Sequence, residues 1–198
     1  MIPGHKGAVS KGSRFINFLW YTNEDEASHN EIMTDKDGRM RQFIVPAGMV
    51  RPSVWESLLQ RAHLLSEPHR EVLKSIKRPF IQSITDFVAP AAVLGGGKVL
   101  LVGDALSLYR PHTASSTNQV GYQCLALERF MRGHSTIEEW ERDILQFAHL
   151  HHARSVWYGE NYQHPIGQSL PSALRYWAAA AMDCWRVKFD WGSTKLRW

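Results

Sequence analysis

The stretch "KVLLVGDALSLYRPHTASSTNQ", Lys98 to Gln119, decides how the chain is read. "KVLLV" is apolar at consecutive positions, so both of its faces want cover, the pattern of an interior parallel strand. It runs into Gly103 and Asp104, then a loop containing Pro111, then a helix start near Ser116. In open α/β sheets, ligands bind in the crevice beyond the carboxyl ends of strands. Gly103 permits close backbone approach there, and Asp104 presents acceptor oxygens. An ionised aspartate accepts but cannot donate, so its natural partner is a hydroxyl-bearing group such as a ribose or ribityl chain. Amide groups at Ser116, Thr117 and Asn118, at the positive end of the following helix, favour a ligand atom that becomes negative. A plainer reading stands beside this one: Asp104 caps a turn, and Ser116 with Gln119 forms a capping box.

Working outward, the upstream half predicts a sheet with two helices. "RFINFLWYT" (Arg14 to Thr22) is aromatic and β-branched, "RMRQFIV" (Arg39 to Val45) alternates, and "TDKDG" supplies turn chemistry, which together predict an antiparallel meander. Val54, Leu58, Leu59, Ala62 and Leu65 recur at helical spacing behind Pro52. "SEPHREVLKSI" predicts a second short helix, and "RPFIQSITDFV" a return to the sheet. Gly95 to Gly97 punctuate the chain before Lys98.

The downstream half reads as helical. Val120, Cys124, Leu127 and Met131 form an apolar stripe between Thr117 and Met131. Ser135 and Glu138 form a capping box before Ile137, Trp140, Ile144 and Phe147, which predicts a helix from Thr136 toward Trp157. "PSALRYWAAAAMDCW" predicts a last helix, and "RVKFDWGSTKLRW" carries no assignment. His149 and His152 lie three apart on one helix, but no third ligand is evident, so no metal site is expected. The tryptophans, Trp20, Trp55, Trp140 and Trp157 among them, read as core or interface residues, with Trp20 and Tyr21 as candidates for a substrate face.

Bulk composition excludes several classes. The 198 residues are 44% hydrophobic and 21% charged, as in globular proteins, and the net charge of +4 comes from scattered Lys and Arg. No basic run is interleaved with aromatics, so nucleic acid is not an expected partner. No membrane partner is expected either, because the longest apolar run, "YWAAAAM", is far too short to span a bilayer. Cys124 and Cys184 form no framework, which suits a reducing cytoplasm.

At this point the residues carry a resemblance. "VLLVGDALSLYRPHTASSTNQVGYQCLALERF" resembles the second flavin-binding motif of the FAD-dependent aromatic hydroxylases, the class A flavoprotein monooxygenases. "IPGHKGAVSKGSRFINFLWYTN", "DKDGRMRQFIVPAGMVRPSVW", "KRPFIQSITDF" and "HARSVWYGEN" resemble, in order, segments of the dihydroxypyridine hydroxylase branch, from Ile2 to Tyr162. The resemblance implies an α/β fold: an antiparallel or mixed substrate-side sheet with two helices over residues 1–95, and a strand, Gly-Asp motif and helices of a Rossmann-like FAD domain over 96–162; residues 163–198, a helix and an unassigned tail, form a carboxyl-terminal extension outside the resemblance.

It also implies a chemistry. FAD would take hydride from NAD(P)H, react with O2 and transfer one oxygen atom to an aromatic or heteroaromatic small molecule. Gly103 and Asp104 would meet the ribityl arm. Ser116, Thr117 and Asn118 would meet the pyrimidine end, Ser116 standing where the family usually has Gly. The Pro111 carbonyl would face the reactive side of the flavin, and His112 would contact substrate or act as acid or base. The family's GxGxxG segment has no counterpart, and "GGGK" precedes a strand instead of following one. The expectation is therefore a carboxyl-terminal part of a hydroxylase, weak or inactive by itself, or else a non-catalytic remnant serving as an interaction module. In either case an open strand edge could pair with another copy or with a missing amino-terminal half.

Overall fold

The computed structural model describes residues 2–165 and 167–190, with side chains to residue 184. The chain divides into two compact units, Met1–Ser83 and Ile84–Trp198.

The first unit is built on helices and one short sheet. Asp25 caps α1 (Glu26–Met33) by accepting from the Ser28 N–H at 2.8 Å. The "TDKDG" turn closes around Asp35, which is fully buried and accepts from the Asp37 and Arg39 N–H groups, each at 2.9 Å, and from Arg41 Nε at 2.7 Å. Strand β1 (Ile44–Val45) pairs antiparallel with β2 (Ile81–Gln82), Ile44 opposite Gln82. Helix α2 (Pro52–Gln60), a 3₁₀ turn over Arg61–Leu64 and α3 (Glu67–Ser75) follow the predicted periodicity, burying Val54, Ala62 and Leu73.

The expected meander is absent. Arg14–Thr22 forms no strand, and Phe15 makes only a single bridge to Ile2. The reason is local: Asp25 nucleates α1 between the two segments, and Asp35 turns the chain on itself, bridging Thr34 to Met40. The return strand also divides, because Ile81–Gln82 belongs to this sheet while β3 (Phe87–Val88) pairs in the second unit.

In the second unit, β3 pairs antiparallel with β6 (Ser107–Leu108), and β4 (Val93–Leu94) pairs antiparallel with β5 (Val99–Leu100). Thus "KVLLV" is an arm of a hairpin and not an interior parallel strand. Gly95, Gly96 and Gly97, at φ +60, +65 and +88°, close the turn that folds it back, a conformation that side-chain-bearing residues resist.

Three helices complete this unit: α4 (Ser116–Met131), α5 (Ile137–Gln163) and α6 (Leu170–Asp190). The core joins Ala92 and Leu106 to Trp140, Ile144 and Ala148 of α5, with Leu100, Leu101, Leu127 and Phe130 packed around them. Glu141 ties α5 to the hairpin by accepting from the Ala92 and Val93 N–H groups at 2.7 and 2.9 Å. The cap of α5 lies one residue later than the predicted Ser135–Glu138 pair: Thr136 accepts from the Glu139 N–H, and Glu139 from the Thr136 N–H. Trp157 stacks on Tyr176 of α6 at 5.2 Å and 13°.

Candidate functional site

The predicted cofactor-binding and catalytic residues, Gly103, Asp104, Pro111, His112, Ser116, Thr117 and Asn118, lie in the second unit, while the substrate-face candidates Trp20 and Tyr21 lie in the first. Gly103 opens a 3₁₀ turn, Gly103–Ala105, at φ +61°, where a Cβ would lie 3.5 Å from Val120 Cγ2 of α4. Asp104, one residue on, is exposed and makes no hydrogen bond or ion pair among the described residues. It therefore caps nothing, and its acceptor oxygens face solvent, which the plainer sequence reading did not anticipate.

The turn is held from beneath by α4. Gln123 Oε1 accepts the Gly103 N–H at 2.6 Å, and Gln119 Nε2 donates to the Gly103 carbonyl at 2.6 Å and to the Ser107 carbonyl at 3.0 Å. Both glutamines are fully buried, whereas Val120 is 44% and Met131 73% exposed. Of the predicted apolar stripe only Leu127 packs against the core, while Val120, Cys124 and Met131 are exposed. The face that meets a turn must satisfy backbone groups, so amides go inside and methyl groups out. This also removes the proposed Ser116–Gln119 capping box, because Gln119 is committed to the turn. Glutamines at i and i+4 on the helix that follows the Gly-Asp turn were the signal available in the sequence.

The start of α4 is open. Ser115, its N-cap residue, makes no side-chain cap; its hydroxyl donates backward to the Thr113 carbonyl at 3.2 Å. Ser116, Thr117 and Asn118 are exposed, and no N-cap side chain accepts from the first-turn amides. Ala114 precedes them in the left-handed region at φ +50°, costly for a residue with a Cβ.

The "RPH" segment is anchored to α5. Arg110 Nε donates to Asp86 Oδ2 at 2.6 Å, its Nη1 to Glu160 Oε1 at 2.8 Å, and its backbone N–H to Ser155 Oγ at 3.2 Å. His152 Nε2 lies 2.7 Å from Asp86 Oδ1, so this histidine is committed to a hydrogen-bonded network with Asp86 and Arg110; no group of three metal ligands occurs among the described residues. Pro111 begins a 3₁₀ turn, Pro111–Thr113, and His112 rests on α5, where a Cβ at Gly159 would lie 3.0 Å from His112 Cδ2. Burial, reinforced by the Arg110 charge, lowers the His112 pKa and favours neutral imidazole. For Asp86, burial raises the pKa, but the hydrogen bonds from Arg110 and His152 outweigh it and bring it below the usual carboxylate range. Asp86, Arg110 and Glu160 were not singled out in the sequence, being far apart along it. Trp140 is core, as expected, and Trp157 packs between helices.

What the arrangement can do chemically is bind a polyhydroxylated, partly anionic ligand: an unpaired carboxylate on a fixed turn adjoins, along one short stretch of chain, an uncapped helix start. A residue with a Cβ at Gly103 would be strained, and among the described residues nothing pairs with the Asp104 oxygens, so these residues fit a ribityl arm and an electron-rich ring edge. Among the described residues, no helix is long and apolar enough to cross a membrane.

The model of an FAD binding domain-like family matches residues 1–86. The 2,6-dihydroxypyridine 3-monooxygenase of Paenarthrobacter nicotinovorans is 29% identical over 155 residues, 76% of this chain and 38% of that protein. The solved structure of 2,6-dihydroxypyridine-3-hydroxylase from Arthrobacter nicotinovorans matches with a TM-score of 0.62 and 25% identity, covering 71% of this chain and 37% of that one. The chain thus spans less than two fifths of the length of these relatives. In sequence and in fold, and over part of a relative's length, this chain resembles the FAD-dependent aromatic hydroxylases, the class A flavoprotein monooxygenases of the dihydroxypyridine hydroxylase-like branch.

Proposed function

We propose that this chain carries the part of an FAD site that grips the ribityl arm and the pyrimidine edge of the flavin, in a monooxygenase acting on a small aromatic or heteroaromatic ring. FAD, when bound, supplies hydride acceptance from NAD(P)H and activation of O2. The observation that carries the reading is Asp104: an exposed, unpartnered carboxylate held on a glycine turn that α4 pins from below.

The chain's own residues divide the work by chemistry. Asp104 accepts from sugar-alcohol hydroxyls, and Gly103 keeps the backbone low beside them. The uncapped N–H groups at Ser116, Thr117 and Asn118 stabilise negative charge at the ring edge. Pro111 would offer its carbonyl to the flavin, and His112, held neutral, would contact substrate or serve as its acid or base. The first unit, Met1–Ser83, supplies the substrate-side body. The reading is tested by adding FAD to the purified chain, removing unbound flavin and recording the visible spectrum. Retained flavin absorbance supports it; a colourless protein refutes it and leaves the interaction-module reading.

A further inference from the structure

We infer that Gln119 and Gln123 are positioning residues, a two-point clamp that fixes the Gly103 peptide groups and so holds the Asp104 carboxylate outward toward its ligand; the ligand half of this inference rests on the proposed flavin reading.

The clamp takes both polar groups of one residue. Gln123 accepts the Gly103 N–H and Gln119 donates to the Gly103 carbonyl, each at 2.6 Å, from successive turns of α4. Gln119 reaches the Ser107 carbonyl as well, at 3.0 Å, tying the turn to the start of β6. Both side chains are fully buried, and burying an amide is unfavourable unless its hydrogen bonds are made. Even so, Gln119 Oε1 and Gln123 Nε2 are buried with no hydrogen-bond partner among the described residues, so each amide is oriented by its bond to the turn. An apolar pair would fill the same space. What it could not do is choose the orientation of a peptide whose glycine can adopt several.

The two glutamines work with opposite polarity, which separates clamping from packing. At position 123 an acceptor is needed, so glutamate preserves the bond whether ionised or protonated. At position 119 two N–H donors are needed, and glutamate supplies one O–H at most.

The experiment follows hydrogen exchange of the Gly103 amide by NMR in the full chain, alongside FAD affinity from flavin fluorescence, with circular dichroism as the check on folding. Gln123→Glu is expected to keep Gly103 protection and FAD affinity within about threefold of the parent. Gln123→Met, similar in volume, is expected to speed exchange and weaken FAD about tenfold each, the loss of roughly one hydrogen bond. Gln119→Glu is expected to weaken FAD by a similar factor. Should Gln119→Glu fail to fold, the two substitutions at 123 decide the matter by themselves. The clamp is overturned if Gln123→Glu and Gln123→Met behave alike, or if Gly103 exchange in Gln123→Met matches the parent. A parent chain that takes up no FAD refutes the flavin reading instead, and the Gly103 exchange pattern still decides the clamp.

Discussion

Arg110 Nε lies 2.6 Å from Asp86 Oδ2, a contact 24 residues apart in sequence that joins the segment before β3 to the "RPH" turn. The same guanidinium reaches Glu160 on α5, so one planar fork binds three pieces of chain. All three side chains are only 21–27% exposed, so screening by water is partial.

Removing that fork is expected to destabilise the fold. Arg110→Met leaves two carboxylates without their cation and is predicted to lower unfolding free energy by about 2–3 kcal/mol. Arg110→Lys, which cannot reproduce the fork, should fall between. The Asp86 pKa is lowered in the folded state, so its contribution is fully present above about pH 3.9 and is lost as pH falls through its folded value. Urea unfolding at pH 7 and near pH 3 checks both statements: the Arg110→Met deficit should shrink at the acid end.

His112 is predicted to titrate below the ordinary imidazole value of about 6.5, because burial and the Arg110 charge disfavour its protonated form. The unfolded chain then binds this proton first as pH falls. The stabilisation from a neutral His112 is therefore fully present above about pH 6.5 and declines as pH drops toward the folded midpoint. NMR titration of the ring protons measures that midpoint directly, and Arg110→Met should raise it. An unchanged midpoint in that variant would remove Arg110 as a cause.

Glycine in the middle of a helix ordinarily costs about 1 kcal/mol relative to alanine. At Gly159 the sign should reverse, since a Cβ would lie 3.0 Å from His112 Cδ2 and 3.1 Å from Arg110 Cδ. Gly159→Ala is predicted to lose about 1–3 kcal/mol of stability by overpacking and to shift the His112 ring resonances. A stabilised variant would show that His112 does not rest on this helix.

The start of α5 gives a direct comparison of neighbours. Thr136→Ala is expected to cost about 1 kcal/mol through loss of the cap, and Ser135→Ala within about 0.5 kcal/mol of nothing. Thermal unfolding of the two variants distinguishes them.

That one-residue difference also illustrates what was legible in the sequence. The helices were, because the amphipathic spacing of Val54 and Ala62, or of Trp140 and Ile144, reports burial directly. Cap registers were less so, since Ser135–Glu138 and Thr136–Glu139 offer the same chemistry one step apart. The strands were misread where tertiary pairing overrode composition: Arg14–Thr22 has the residues of a strand and no ladder, and "KVLLV" is turned antiparallel by three glycines. At the candidate site, Asp104 and the helix start could be named from local pattern. Gln119 and Gln123 could not be recognised as its supports by an apolar-stripe rule, which assigns buried positions to methyl groups even where backbone groups need partners. The Asp86–Arg110–Glu160 network joins residues that only the fold brings together.

The most direct test of the central claim is the FAD dissociation constant of the chain beside that of Asp104→Asn, measured by flavin fluorescence at matched folding. Asp104 is exposed and unpaired, so its replacement should leave stability unchanged while weakening FAD at least tenfold, as expected for a charge-assisted hydrogen bond to a hydroxyl. Equal affinity in the two proteins would contradict the account.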